Sequence, residues 1–184
     1  MKREGNAFTL FEILAVLFII AMASTYFIPR LVRRPPTVEW TIVVNELNNL
    51  VTFARQEAMA HRKNYRLTFH SAPQQTDSVR IEQEFDDVEK PGRKKYQSVS
   101  SYYVKTIYEL APAVRLRAVY LAKQEMLSEQ RGYAFCYIAS SGMVQEVVVQ
   151  LERKIDTVES FQTLKMNPFF GRFDNDDGLV KPGG

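Results

Sequence analysis

The sequence predicts an α+β fold: a long N-terminal helix, its second half amphipathic, packed on an antiparallel sheet. Three observations carry this. Residues 8–28 are almost purely apolar, residues 38–63 repeat apolar positions every three and four residues, and most of the chain beyond residue 63 alternates in short β-type runs. With 184 residues, 46% hydrophobic and 12% aromatic, the chain can bury one compact core beside whatever its N-terminus does.

From Phe8 to Ile28 the one ionisable residue is Glu12, and from Ile13 to Ile28 there is none. At about 1.5 Å per residue a helix over 8–31 is roughly 36 Å long, enough for a bilayer core of roughly 30 Å. A removable secretory signal fits poorly. The basic leader Lys2-Arg3 is right, but the apolar run is too long and its best exit, Ala21-Met22-Ala23, lies inside it. A plain anchor is the simpler alternative. Against it stand Glu12, a carboxylate four residues into the apolar segment, where such a charge is costly, and Pro29, which loosens the last turns. Basic residues flank the span on both sides (Lys2 and Arg3, then Arg30, Arg33 and Arg34), so charge bias leaves the orientation open.

The stretch Ala7-Phe8-Thr9-Leu10-Phe11-Glu12 resembles the processing site of type IV prepilins and pseudopilins. In that family a short basic leader ends in a small residue, usually Gly. Phe-Thr-Leu, an apolar residue and Glu come next. Here Ala7 stands in place of the Gly, with Gly5 two positions earlier. A cut after Gly5 would put Asn6 first and Glu12 seventh and lose the pattern. Pro29, the twenty-second residue counted from Phe8, matches the family's helix-loosening proline. The resemblance implies a leader 1–7 removed by a prepilin peptidase between Ala7 and Phe8, with N-methylation of Phe8. It further implies a filament-core helix 8–31 to which Thr9, Leu10, Glu12 and Pro29 contribute. A carboxylate one turn from a free amine can pair with the amine of a neighbouring subunit and fix axial register.

Arg33-Arg34-Pro35-Pro36 predicts a break over 32–37, with Thr37 as N-cap of the next helix. From 38 to 63, Trp40, Val43, Val44, Leu47, Leu50, Val51, Ala54 and Ala58 form one apolar stripe. Thr41, Asn45, Asn48, Asn49, Thr52 and Gln56 face the other way. Strands are predicted at 65–69, 79–85, 100–110 and 114–121. Beyond them lie a hairpin, 132–138 with 143–151 around Ala139-Ser140-Ser141-Gly142, and a last strand at 161–166. Residues 86–97 read as an exposed basic loop, 122–130 as a helical or loop excursion, and 174–184 as a solvated acidic tail. The globular region therefore spans 38–184, with its sheet over 65–173.

Ala54-Arg55-Gln56-Glu57-Ala58 running into Tyr65-Arg66-Leu67-Thr68-Phe69 is similar to the H-type minor pseudopilins of type II secretion systems. So are the Ser-Ser-Gly turn and the ending Met166-Asn167-Pro168-Phe169-Phe170-Gly171-Arg172-Phe173. The resemblance implies a pilin-like fold and a structural role in protein export. The chain would be anchored once in a bacterial inner membrane, in contact with membrane lipid, with its globular domain in the periplasm. Its partners would be other pseudopilins or pilins in a helical filament, an assembly ATPase and a platform protein. The alternative is a minor pilin of a type IV pilus or DNA-uptake filament. A receptor or enzyme on a plain anchor would need a pocket that the sequence does not show.

No catalytic constellation appears. His61 and His70 flank the helix-to-strand junction without cysteines nearby, and Cys136 sits in the apolar run Tyr133–Ile138 as a small buried residue. Asp174-Asn175-Asp176-Asp177-Gly178 has half the pattern of a calcium loop but lacks the distal Glu. Asp174 and Asp176 are thus weak calcium candidates, and no cofactor is otherwise expected. The 24 basic and 21 acidic residues are mixed along the chain, which gives no concentrated basic face for nucleic acid.

Overall fold

The computed structural model describes residues 10–32, 36–73, 75–87, 90, 92–128, 131–155 and 158–179, with 24–32, 36–39 and 177 described in backbone only. The chain forms two compact units, Met1–Glu39 and Trp40–Gly184. In the first, helix α1 runs over Leu10–Val32. Its backbone continues helically through Pro29, although that residue donates no hydrogen bond to the preceding turn. The expected span 8–31 begins outside the described residues, and its side chains are described only over 10–23. Among the described residues no helix is long and apolar enough to cross a membrane.

Helix α2 covers Pro36–His61. Pro36 takes the opening position, where a missing N–H costs nothing, so Thr37 lies in the first turn and is not the cap. Residues 33–35 of the expected break lie outside the described residues. The helix stops at His61 because Arg62 adopts a left-handed backbone (φ 53°) and turns the chain towards the first strand. The predicted stripe is buried in α2 with one exception: Trp40, Val43, Leu47, Leu50, Val51, Ala54 and Ala58 are in the core and Val44 is half-buried.

Among the described residues ten strands follow: β1 Tyr65–His70, β2 Ser78–Asp86, β3 Lys94–Ser98, β4 Ile107–Glu109, β5 Val114–Leu121, β6 Gln124–Glu125, β7 Tyr133–Ile138, β8 Val147–Ile155, β9 Val158–Asn167 and β10 Arg172–Asp177. They make two sheets rather than one. The first has the order β3-β2-β1-β7 with β4 also on β2, the second β10-β9-β8-β5-β6. All the pairings are antiparallel. One hydrophobic cluster joins the stripe of α2 to Leu67, Phe69 and Ile81 of the first sheet and to Val149, Leu151, Leu164 and Met166 of the second.

The predicted 132–151 hairpin is corrected. Its turn exists: the Gly142 N–H donates to the Ala139 carbonyl at 2.8 Å, and Gly142 has φ 83°. Beyond a single bridge between Ile138 and Val144, however, the strands part, and β8 enters the other sheet. The reason is burial. Residues 147–151 are buried without alternation, so both faces of β8 are covered, and the strand pairs with β5 and β9 in the middle of the second sheet.

Three further expectations shift. The 86–97 loop is shortened by β3, whose Lys94 pairs Asp86 in register and by a 2.6 Å ion pair. That contact, a hydrogen bond first and charge second, holds the Asp86 carboxyl below its usual range and pushes Lys94 up. Residues 100–106 are not a strand. The Ser101 hydroxyl accepts the N–H groups of Tyr103 (3.3 Å) and Val104 (3.4 Å), competing with a ladder and leaving Tyr102 and Tyr103 bare. Residues 174–177 belong to strand β10, paired along β9, and not to a solvated tail.

Candidate assembly surface

Helix α1 presents a surface that a protein does not leave in water. Leu10, Phe11, Ile13, Leu14, Val16, Leu17, Phe18, Ile19, Ile20 and Met22 are each at least half exposed. These positions run all the way round the described helix, which leaves it no polar face and makes it a candidate interaction surface. Glu12 stands in its first turn, where the helix dipole favours a carboxylate, and is the one ionisable residue from 10 to 23. Leu10 begins the helix. Ala7, Phe8 and Thr9 lie outside the described residues, so the processing junction has no described geometry.

In the second unit, the three stretches that carry the H-type resemblance meet at Arg55, half-buried on α2. Its Nε donates to the Gly142 carbonyl at 2.8 Å, in the Ser-Ser-Gly turn. Its two terminal nitrogens reach the carbonyls of Phe170 and, at 3.5 Å, Phe169. Gly171 packs so closely on this guanidinium that a Cβ there would stand 2.6 Å from its Nε, and its φ of 62° already disfavours a side chain. A cation that satisfies three carbonyls from two distant turns fastens the helix end to both.

Asn48 is a second such fastening. The sequence places it on the solvent face, but it is half-buried and exchanges two hydrogen bonds with the Phe173 backbone. The Phe173 N–H donates to its Oδ1 (2.6 Å), and its Nδ2 donates to the Phe173 carbonyl (3.4 Å). A third is Asp77, fully buried. It accepts the N–H groups of Leu116 (2.6 Å) and Ala72 (3.3 Å) and pairs with Arg115 (3.1 Å). Arg115 in turn donates to the carbonyls of Ala72 and Gln75, tying the β1–β2 connection to β5.

Asp174 and Asp176 lie exposed on the edge strand β10, and Asp174 pairs with Arg172 at 3.2 Å. Among the described residues no three His, Cys, Asp or Glu side chains gather as a metal site would require. His61 pairs with Glu57 at 3.2 Å, and His70 stacks on Tyr133 at 4.5 Å. Cys136 is fully buried, and burial pushes its thiol up to about 12.

No family model and no characterised protein sequence matches the chain. Two solved structures do. One is a structure of the minor pseudopilin EpsH from the type 2 secretion system of Vibrio cholerae, with TM-score 0.51 and 12% identity, covering 79% of this chain and 98% of that one. The other is a crystal structure of the same minor pseudopilin, with TM-score 0.52 and 13% identity, covering 78% and 97%. At that identity the likeness is one of fold, and the chain has the α+β, antiparallel-sheet pseudopilin fold.

Proposed function

We infer that the chain is a minor pseudopilin, a structural subunit of a type II secretion filament that takes part in protein export across the outer membrane. One observation carries this reading: a prepilin-like N-terminus and a pseudopilin fold, which are independent of each other, occur in one chain. The role is assembly and not catalysis, and it requires no cofactor.

In this account a prepilin peptidase cuts between Ala7 and Phe8 and methylates the new amine. The segment 8–31, whose ionisable residues are Glu12 and, near its end, Arg30, holds the subunit in the inner membrane with the globular unit in the periplasm. In the filament the same segment exchanges lipid for neighbouring helices, which cover the bare residues of α1. Glu12 then sits one turn from Phe8, and its carboxylate pairs with the amine of an adjacent subunit. Buried in an apolar bundle, that pair tolerates little axial slip, because breaking it leaves an uncompensated charge. Pro29 loosens the last turns of the segment during docking. An assembly ATPase and a platform protein supply the force that extracts the subunit from lipid.

Deleting the gene in its source organism tests the reading. Cargo proteins should accumulate in the periplasm while surface pili and DNA uptake stay normal, and full-length protein should restore export where Glu12→Ala does not. Normal export with lost piliation or DNA uptake would assign the chain to a type IV filament instead. Normal behaviour in all three assays would contradict the filament reading.

A further inference from the structure

Strand β7 borders the first sheet, and its sequence, Tyr-Ala-Phe-Cys-Tyr-Ile, has no charge, proline or glycine. An uncharged aromatic strand at an edge is a ready template for another chain. The other edge strands among the described residues are guarded by charge or by shortness. β3 carries Lys94 and Lys95, β10 carries Asp174 and Asp176, and β4 and β6 have three and two residues. The Ser71 N–H donates to the Gly132 carbonyl at 2.8 Å, and the β1–β7 register continues from that rung. Tyr133, Phe135 and Tyr137 therefore turn their N–H and C=O groups away from β1, towards the edge.

At Tyr137 one residue closes that edge. The Gln145 N–H donates to the Tyr137 carbonyl (2.8 Å), and the Gln145 Oε1 accepts the Tyr137 N–H (3.3 Å). In a regular rung the second acceptor would be the backbone carbonyl of Gln145. That carbonyl instead accepts the Cys136 thiol (3.4 Å), at the point where the chain leaves for β8. The side-chain amide thus supplies the acceptor that the ladder has lost. Asn48 repeats the device on β10, where its amide takes both the N–H (2.6 Å) and the carbonyl (3.4 Å) of Phe173. We propose that Gln145 is a latch that closes β7 against a strand from another chain. Latched, β7 offers an incoming strand only the outward groups of Tyr133 and Phe135, too few for a stable ladder. Unlatched, it offers all three positions across a strand of six residues. The latch belongs to the globular unit and works whether or not α1 assembles.

Association of the full-length chain in mild detergent, followed by thioflavin T fluorescence and sedimentation velocity, tests this. Gln145 and Tyr137 are exposed, so replacing either should leave the native near-UV circular dichroism intact. Gln145→Ala should associate several-fold faster than the unaltered chain, the scale of one lost hydrogen bond. Adding Tyr137→Lys to Gln145→Ala puts a charge on the bared edge and should restore the slow rate. Contacts made by α1 are common to all three chains and cancel in the comparison. Equal rates for Gln145→Ala and the unaltered chain would overturn the latch. Fast association that Tyr137→Lys leaves unchanged would also overturn it, because the pairing would then run elsewhere. Loss of native packing in Gln145→Ala would do the same, by giving Gln145 a role in the core.

Discussion

Asp77 shows what a single residue does in this fold. Its carboxylate is inaccessible to solvent and gathers two backbone N–H groups, from the β1–β2 connection and from β5, and the Arg115 guanidinium of β5. Asp77→Ala strands those donors and should cost about 2–3 kcal/mol, towards the low end for a buried pair because Arg115 is one-third exposed. Asp77→Asn, which keeps an acceptor, should cost less. Chemical denaturation followed by near-UV circular dichroism measures both, and a loss below about 0.5 kcal/mol for the alanine, the range of an ordinary surface change, would refute the assigned role. None of this was legible in the sequence. Asp77 lies in a Gln-, Thr- and Ser-containing turn that reads as solvated, and its main acceptor bond reaches 39 residues along the chain. Cys136 was legible as a buried residue because its signal is local, a cysteine among aromatics. Arg55 lay within a recognised stretch, but its role depends on two turns 87 and 115 residues away.

Among the elements, the best-anticipated are those whose pattern closes on itself. Helix α2 shows its stripe at every third and fourth residue, β5 spans 114–121 as expected, and β1 extends the predicted strand by one residue. The partition of strands between two sheets was not legible, because alternation does not name a strand's partner. One hint existed: Val147-Val148-Val149 is a continuous apolar run, the mark of a strand covered on both sides. Strand β10 was missed because its acidic residues suit an exposed edge as well as a tail. Its attachment to α2 runs through Asn48, so Asn48→Ala should loosen the strand locally. Amide exchange over 172–177 should quicken by about tenfold, the equivalent of one to two hydrogen bonds, while exchange in β1 stays unchanged. Unchanged exchange in β10 would show that its ladder with β9 suffices.

At the level of the whole molecule, the chain joins a unit with a closed apolar core to a separate helix that is apolar all round. A core from Trp40 to Phe173 closes within the second unit, whereas ten large apolar residues of α1 lie at least half exposed. On the proposed assembly role, the surface that folds the protein and the surface that joins it to others would be separate. The account depends most on the new N-terminus, because the amine that Glu12 pairs with exists only after the leader is removed. Intact mass and N-terminal sequencing of the membrane-extracted protein, with and without the prepilin peptidase, test this directly. The account predicts a chain beginning at N-methylated Phe8 when the peptidase is present and an uncut chain when it is absent. A chain that keeps residues 1–7 in both cases, or is cut elsewhere, would contradict it.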